Sequence, residues 1–304
     1  MIISAIFPGQ GSQRIGMAKE LYNKYELVKS LFNIADDTLG FSITDIIFNG
    51  TEDDLKQTKY AQPALLLVSY AYYKVLEENK GYSPSLLAGH SLGEYSALIA
   101  AKSFAFADAI KLVHSRGTLM GETAEKHPGT MAAVLGASDD EVLKLCEQST
   151  SRNDIVVPAN YNSNGQTVVS GTLSGINNLK ILAKESGKKV LPLPVSGAFH
   201  SPLMQEAADK FAEKLDKVEI TAPKIMVIQN ITAQETLYPD QIKQNLKDQI
   251  TGSVQWVKTL QRMDALGVKE YLEIGPGNVL SGLVSRTIDL TDGKTVQTIT
   301  ELGY

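Results

Sequence analysis

The sequence has little of what defines several common classes of protein. Its 304 residues include a single cysteine, Cys146, which excludes an internal disulfide and a cysteine-based zinc site and favours a reducing compartment. No apolar run approaches the roughly 20 residues that span a bilayer. The first residues also lack the basic segment of a signal peptide. We therefore expect a cytoplasmic protein that does not associate with a membrane.

The charge balance argues against one further class of partner. The formal net charge is −5, so the chain has no excess of positive charge with which to bind nucleic acid. With 43% apolar and 21% charged residues, the composition is that of an ordinary globular protein. The length suits one large domain, or a large domain with a smaller one.

The order of predicted elements indicates an α/β fold. Short apolar runs alternate with helical patterns, which is typical of a mostly parallel sheet covered by helices. Residues 128–194 differ, because their pattern is strand, helix, two strands around a turn, helix, strand. That βαββαβ order is the ferredoxin-like motif. We predict a small ferredoxin-like subdomain at residues 128–194, inserted into a large domain formed by residues 1–127 and 195–304.

One short segment has the pattern of a nucleophile turn. Residues 89–93 read GHSLG, after a short apolar run and before a segment of small, helix-favouring residues. A G-x-S-x-G nucleophile elbow requires this strand–turn–helix context. Its glycines allow close backbone packing, and the helix N-terminus favours negative charge beside the serine. Ser91 is therefore the candidate nucleophile. The alternative interpretation is a glycine-bounded turn that holds a buried serine.

A serine hydroxyl needs a base within hydrogen-bond reach, and the chain has four histidines. His90 is adjacent to the candidate nucleophile and would point away from it. His114 and His127 are predicted to be ordinary polar positions. His200 lies between a predicted strand and a helix that starts at Pro202, at a sheet end of the kind where sites collect. His200 is the candidate base, with a helix-capping histidine as the alternative.

An acyl-transfer site also needs N–H donors for the oxyanion. We expect one from Leu92, the residue after the nucleophile, and one from Gln10 in the loop of residues 7–13, FPGQGSQ. A simple glycine turn is the alternative for this loop. The loop also resembles a dinucleotide fingerprint, but Arg14 stands where the third glycine is needed for close packing. No phosphate-binding P-loop motif is present.

Arg116 lies within a predicted helix whose residues are largely apolar. Such an arginine is either a surface residue with its stem along apolar neighbours, or a clamp for a carboxylate. The local sequence by itself favours the surface position.

Four segments taken together carry a resemblance to a known family. They are residues 7–13, 89–94, 197–200 and 273–277, which read FPGQGSQ, GHSLGE, GAFH and EIGPG. In order and spacing, over nearly the whole chain, they resemble the malonyl-CoA:acyl-carrier-protein transacylases and the acyltransferase domains of polyketide and fatty-acid synthases. The resemblance implies a hydrolase-like parallel-sheet core with an inserted ferredoxin-like subdomain. It also implies ping-pong transfer of a malonyl group to the phosphopantetheine thiol of acyl carrier protein.

The resemblance assigns catalytic roles to matching residues. Ser91 would carry the acyl group as an ester, and His200 would be its base. The main-chain N–H groups of Gln10 and Leu92 would form the oxyanion hole. The family orients its histidine with a main-chain carbonyl, which here matches Gln249.

The resemblance also implies a set of substrate-binding residues. Arg116 would pair with the malonyl carboxylate. In the synthase relatives, the choice of extender unit follows the four residues that end in the base, and Gly197 departs from the malonyl pattern at the first of them. The bulk of Phe199 should still favour malonyl over a branched acyl group. The remaining positions matched near the acyl and cofactor pocket are Gln62, Met120, Asn160 and Asn162.

These implications set the expected partners. We expect malonyl-CoA and an acyl carrier protein, no metal, no cofactor beyond the coenzyme A thioester that is the substrate, and a monomer as the simplest assembly. Carrier proteins are typically acidic, so Lys184, Lys188 and Lys189 are a candidate docking patch, with a solvated helix end as the alternative. Two other functions stay open: a serine hydrolase, which needs no carboxylate clamp, and a non-catalytic nucleotide-binding module.

Overall fold

The structure, a computed structural model, describes residues 2–303. Met1 and Tyr304, the outer ends of the predicted large domain, lie outside the described residues. The strands are β1 (Ile2–Phe7), β2 (Leu86–Gly89), β3 (Gly129–Leu135), β4 (Val156–Ser163), β5 (Gln166–Thr172), β6 (Lys189–Pro192), β7 (Met226–Ile228), β8 (Val268–Glu273) and β9 (Thr295–Thr298).

Helices connect and cover these strands. The α-helices are α1 (Lys19–Lys24), α2 (Glu26–Leu39), α3 (Ile43–Asn49), α4 (Glu52–Lys56), α5 (Thr58–Lys80), α6 (Gly93–Ala100), α7 (Phe106–Lys126), α8 (Asp139–Ser149), α9 (Leu173–Glu185), α10 (Gln205–Leu215), α11 (Pro239–Asp248), α12 (Trp256–Ala265) and α13 (Val279–Thr287). Short 3-10 helices lie at Pro202–Met204 and Ile299–Leu302.

The larger sheet is parallel and has the strand order β7-β2-β1-β8-β9. Its central strands are buried, including all four residues of β2, which explains why these strands read as continuous apolar runs. Because parallel strands end at one edge, the loops that follow β1, β2 and β7 meet at the same edge of the sheet. Sites in open α/β folds collect there.

The second sheet is antiparallel, with the strand order β4-β5-β3-β6. Its elements follow one another as β3-α8-β4-β5-α9-β6, so the predicted ferredoxin-like βαββαβ motif is confirmed. Side chains such as Val134, Val169 and Leu179 form a separate hydrophobic cluster beneath α8 and α9. The division of the chain at residues 128 and 194 stays a prediction.

Some elements differ from the sequence pattern. The first helix does not begin until Lys19, because Gly16 and Ala18 have φ angles of 79° and 60°, which a helix does not allow. The pattern did not predict α3, α4 or β9. The N-caps Ser42 and Thr51, whose side chains accept from N–H groups of the first turn, were readable signals for the two short helices.

Candidate active site

The nucleophile turn lies between β2 and α6. Ser91 has a φ of 50°, in the left-handed region that residues with a side chain rarely adopt. A Cβ at Gly89 would lie 1.9 Å from the carbonyl carbon of Gly93. A Cβ at Gly93 would lie 2.0 Å from the carbonyl oxygen of Phe7. Only glycine permits this close approach, and the result is the strained strand-to-helix turn of a nucleophile elbow.

Ser91 and His200, which are 109 positions apart in the chain, meet at this turn with Oγ 2.8 Å from Nε2. The Nδ1 atom of His200 lies 2.8 Å from the carbonyl oxygen of Gln249 and 3.1 Å from that of Gly252. A carbonyl can only accept, so Nδ1 carries the ring proton and Nε2 is left to accept from the serine hydroxyl. The arrangement is that of a base already paired with its nucleophile.

The local path to His200 differs from the prediction. The preceding strand, β6, belongs to the antiparallel sheet, and residues 193–199 form an irregular segment between them. His200 itself has a φ of 57° and is only 4% exposed. Its position therefore depends on contacts with the segment after α11 rather than on the end of a parallel strand.

The environment keeps His200 neutral. Burial is the main cause, and the positive charge of Arg116 adds to it; together they lower the pKa of His200 to about 3. The carbonyl oxygens of Gln249 and Gly252 act in the opposite direction because they favour the charged ring. At neutral pH the imidazole is therefore in its basic form.

Arg116, on α7, is buried with 1% exposure, so the surface position favoured by the local sequence is wrong. Its Nη1 donates to Oε1 of Gln62 at 2.8 Å. Its Nη2 donates to Oε1 of Gln249 at 3.0 Å and to Oγ of Ser91 at 3.2 Å. Among the described residues it forms no ion pair, and its Nε has no hydrogen-bond partner. A buried cation next to the nucleophile thus has no carboxylate in direct contact among the described residues, an arrangement suited to an anionic ligand.

A cavity of about 260 Å³ opens above the serine–histidine pair. The α5 and α7 helices contribute to its walls, as do strands of the antiparallel sheet. The predicted site residues that line it are Gln10, Gln62, Ser91, Leu92, Arg116, Met120, Asn160, Asn162, Phe199 and His200. Gln249 is not among the lining residues and reaches them through its hydrogen bonds.

Two main-chain donors are available beside the nucleophile. Within residues 2–303, neither the N–H of Gln10 nor that of Leu92 donates a hydrogen bond. The loop that carries Gln10 packs tightly against the nucleophile turn, since a Cβ at Gly9 would lie 2.6 Å from the carbonyl oxygen of His90. An oxyanion hole needs such unpaired N–H groups at the cavity surface.

The other three of the four histidines make structural contacts. The Nε2 of His90 donates to Oδ1 of Asn162 at 2.8 Å, and burial lowers the pKa of this histidine. The Nδ1 of His114 lies 3.0 Å from the carbonyl oxygen of Lys59, and His127 caps the end of α7. Within residues 2–303, no group of three or more histidine, cysteine or acidic side chains could hold a metal ion.

Gly197, where the chain departs from the family pattern, lies beside the cavity rather than in its lining. A Cβ there would lie 2.5 Å from Cβ of Ala124 on α7 and 3.1 Å from the ring of Phe199. Phe199 does line the cavity. Of residues 197–199, Phe199 is therefore the one whose side chain limits the space for an acyl group.

Sequence reasoning missed a polar cluster next to the nucleophile turn. Asn230 accepts the Ser91 N–H through Oδ1 at 2.7 Å and donates through Nδ2 to the carbonyl oxygen of Gly89 at 2.6 Å. Gln229 and Glu94 belong to the same cluster. One signal was available, because Gln229 and Asn230 directly follow β7, at the edge where sites collect.

Comparisons with known proteins agree with this geometry. The sequence profile of the acyl transferase domain family matches residues 5–302. A malonyl CoA-acyl carrier protein transacylase of Bacillus subtilis (strain 168) is 42% identical over 302 residues, which cover 97% of this chain and 95% of the relative.

Solved structures have the same fold. An acyl carrier protein S-malonyltransferase from Vibrio cholerae O1 biovar eltor superimposes with a TM-score of 0.93 at 38% identity, covering 98% of this chain and 96% of that chain. A second structure, of a type II PKS acyl-carrier protein in complex with its malonyl-transacylase, contains a chain that is 36% identical. It has a TM-score of 0.93 and covers 98% of this chain and 96% of that chain.

Proposed function

Because the chain belongs to the acyl transferase domain family, we propose that it transfers a malonyl group from malonyl-CoA to the phosphopantetheine thiol of an acyl carrier protein. Family membership confirms the resemblance carried by the four sequence segments. The protein is an acyltransferase of fatty-acid or polyketide synthesis. A malonyl-Ser91 ester is the intermediate.

One observation supports malonyl as the acyl group more than any other. The buried guanidinium of Arg116 lies 3.2 Å from the nucleophilic Oγ of Ser91 and has no carboxylate partner among the described residues. Malonyl differs from acetyl by a carboxylate, which such a guanidinium binds through two parallel hydrogen bonds. A hydrolase of simple esters has no use for a buried cation at this place.

The first half-reaction forms the ester. The Nε2 of His200 takes the proton of Ser91 as Oγ attacks the thioester carbonyl. The N–H groups of Gln10 and Leu92 hold the oxygen of the tetrahedral intermediate, where the negative charge develops. When the intermediate collapses, the carbon–sulfur bond breaks and coenzyme A leaves with the proton that His200 returns.

The second half-reaction reverses these steps with a different thiol. The phosphopantetheine thiol of the carrier protein gives its proton to His200 and attacks the malonyl-Ser91 ester. The ester bond breaks, and Ser91 recovers its proton from the imidazole. No step of this reaction draws on a metal or a further cofactor. The two thioesters are similar in energy, so the main demand on the site is to exclude water from the ester.

Other features of the protein stay predictions. No helix within residues 2–303 combines the length and the hydropathy of a membrane span. The cytoplasmic location and the monomeric state are expectations from the sequence. In the predicted docking patch, Lys184 and Lys189 are exposed, whereas Nζ of Lys188 lies 2.9 Å from Oε1 of Glu141.

A transfer assay with labelled malonyl-CoA tests the proposed function. We expect label to appear first on the enzyme and then on added holo carrier protein, with little free malonate. Carrier protein without its phosphopantetheine arm is the control and should stay unlabelled. Release of malonate without labelling of the carrier would instead identify a serine hydrolase. Failure to react with malonyl-CoA at all would leave the protein as a binding module.

The pH dependence of serine reactivity should reflect the neutral histidine. Since the pKa of His200 lies at about 3, below its usual value, the basic form persists as the pH falls into the acid range. A histidine with the usual pKa of about 6.5 would lose roughly nine-tenths of its basic form by about pH 5.5. We expect inactivation of Ser91 by a neutral sulfonyl fluoride to change less than about twofold between about pH 8 and 5.5. A decline centred near pH 6.5 would show that the base titrates normally.

A further inference from the structure

Glu94, in the first turn of α6, is a buried carboxylate with no part in the reaction steps above. It is 1% exposed. Its Oε2 accepts from Nε2 of Gln249 at 2.7 Å and from the main-chain N–H of Asn230 at 3.0 Å, and its Oε1 accepts from Nε2 of Gln229 at 3.1 Å. Burial raises the pKa of this carboxyl to about 7, and the three donors act in the opposite direction because they stabilise its ionised form. Burying such a group is costly unless its hydrogen bonds are made.

The carboxylate accepts the shortest hydrogen bond from the Gln249 amide and so helps to orient it. An amide side chain has a donating end and an accepting end. Both oxygens of Glu94 accept in this structure, and the carbonyl oxygen of Ser91 also accepts from Nε2 of Gln249, at 3.1 Å. The Nε2 atom therefore faces these acceptors, and Oε1 is left to accept from Nη2 of Arg116 at 3.0 Å. The opposite orientation would place the amide NH₂ against the guanidinium, donor against donor.

The neighbours of Glu94 cannot easily rearrange. The Oε1 of Gln229 accepts from Nδ2 of Asn245 at 2.6 Å, so its Nε2 has to point at Glu94. Asn230 is held by its own hydrogen bonds to the nucleophile turn. If a neutral amide replaced the carboxylate, its NH₂ group would therefore face at least one of the three donors, and that pair could not form a hydrogen bond.

This inference rests on the malonyl transfer proposed above. We propose that Glu94 is a positioning residue for substrate selection: it orients the side chain of Gln249, which in turn holds Arg116 in the pose that receives the carboxylate of the acyl group. Arg116 also contacts Gln62 through Nη1, so both of its terminal nitrogens are held by amide oxygens. Through Gln249, Glu94 fixes the position of Nη2, the guanidinium nitrogen that lies beside Ser91.

Glu94→Gln, assayed with malonyl-CoA and acetyl-CoA, tests the proposal. The acetyl group has no carboxylate, so its transfer does not depend on the pose of Arg116. We expect kcat/KM for acylation by malonyl-CoA to fall about tenfold or more, and the value for acetyl-CoA to change less than about threefold. An equal loss with both substrates would make Glu94 a purely structural residue and overturn the proposal.

Two further variants keep the test decisive if Glu94→Gln folds poorly. Gln249→Leu removes the side-chain link but leaves the carbonyl that holds His200, and it should lower the ratio of malonyl to acetyl activity in the same direction. Glu273→Gln removes another buried carboxylate, which accepts from Leu280 and Ser281 at the start of α13, and should leave that ratio unchanged. An unchanged ratio in Gln249→Leu would contradict the proposal.

A double variant separates this inference from the proposed function. If Glu94 acts through Arg116, adding Glu94→Gln to Arg116→Ala should not change the ratio further. If Arg116→Ala alone leaves the ratio at its wild-type value, the carboxylate clamp of the proposed function is wrong. If Arg116→Ala lowers the ratio and Glu94→Gln does not, only the role of Glu94 is wrong.

Discussion

Ser91→Ala is expected to lower the rate of malonyl transfer by about 10⁴-fold or more. The ester intermediate needs the Oγ atom, which lies 2.8 Å from the accepting Nε2 of His200 and accepts from Nη2 of Arg116 at 3.2 Å. Losing Oγ leaves the cavity, the base and the guanidinium in place. The rate of coenzyme A release in the presence of holo carrier protein measures the effect.

A buried serine on the helix that follows the nucleophile turn supplies the matched control. Ser96 on α6 is 1% exposed, as deep as the residues around the nucleophile turn, but it does not line the cavity. Ser96→Ala should retain activity within about twofold, which separates the loss of Oγ from the loss of any buried hydroxyl near the turn. Transfer by Ser91→Ala at more than about a hundredth of the wild-type rate would contradict a covalent path through this serine.

Arg116→Ala is expected to change which acyl group the enzyme prefers. Removing one partner of a buried charged pair costs about 2–5 kcal/mol, so kcat/KM for malonyl-CoA should fall by roughly 30-fold to 10³-fold or more. Acetyl-CoA makes no use of the guanidinium and should react at least as well as with the wild-type enzyme. Kinetics of acyl-enzyme formation with both substrates measure the change.

Arg116→Lys tests whether geometry matters as well as charge. Lysine keeps the positive charge but lacks the planar fork that reaches Gln62 and Gln249 together. We expect its malonyl activity to lie between those of the wild type and Arg116→Ala. The same fractional loss with malonyl and acetyl in Arg116→Ala would mean that this residue supports the fold rather than the choice of substrate.

Features set by local sequence were predictable. The close contact of Gly89 with Gly93 lies within the nucleophile turn itself, so the turn could be predicted from one short segment. The capping box at Ser138 and Glu141 and the βαββαβ order are local in the same sense. Each depends on residue types at short, fixed spacings.

Features that depend on distant contacts were not predictable from the residues alone. The burial of Arg116 depends on amide oxygens from Gln62 on α5 and from Gln249 after α11, and an apolar helix pattern carries no information about them. The same holds for Glu94, whose partners lie in segments more than a hundred residues away. The position of His200 before a helix made it a candidate base, with a helix-capping histidine as the alternative, and the resemblance of the four segments to a family favoured the base.

The central claim is a malonyl ester on Ser91, and mass spectrometry of the enzyme after brief exposure to malonyl-CoA tests it most directly. Covalent catalysis predicts an adduct of about 86 Da, one malonyl group, confined to the peptide that contains Ser91 and lost when holo carrier protein is added. Rapid labelling of the carrier protein with no adduct on that peptide, or with an adduct on another residue that the carrier discharges, would contradict the account.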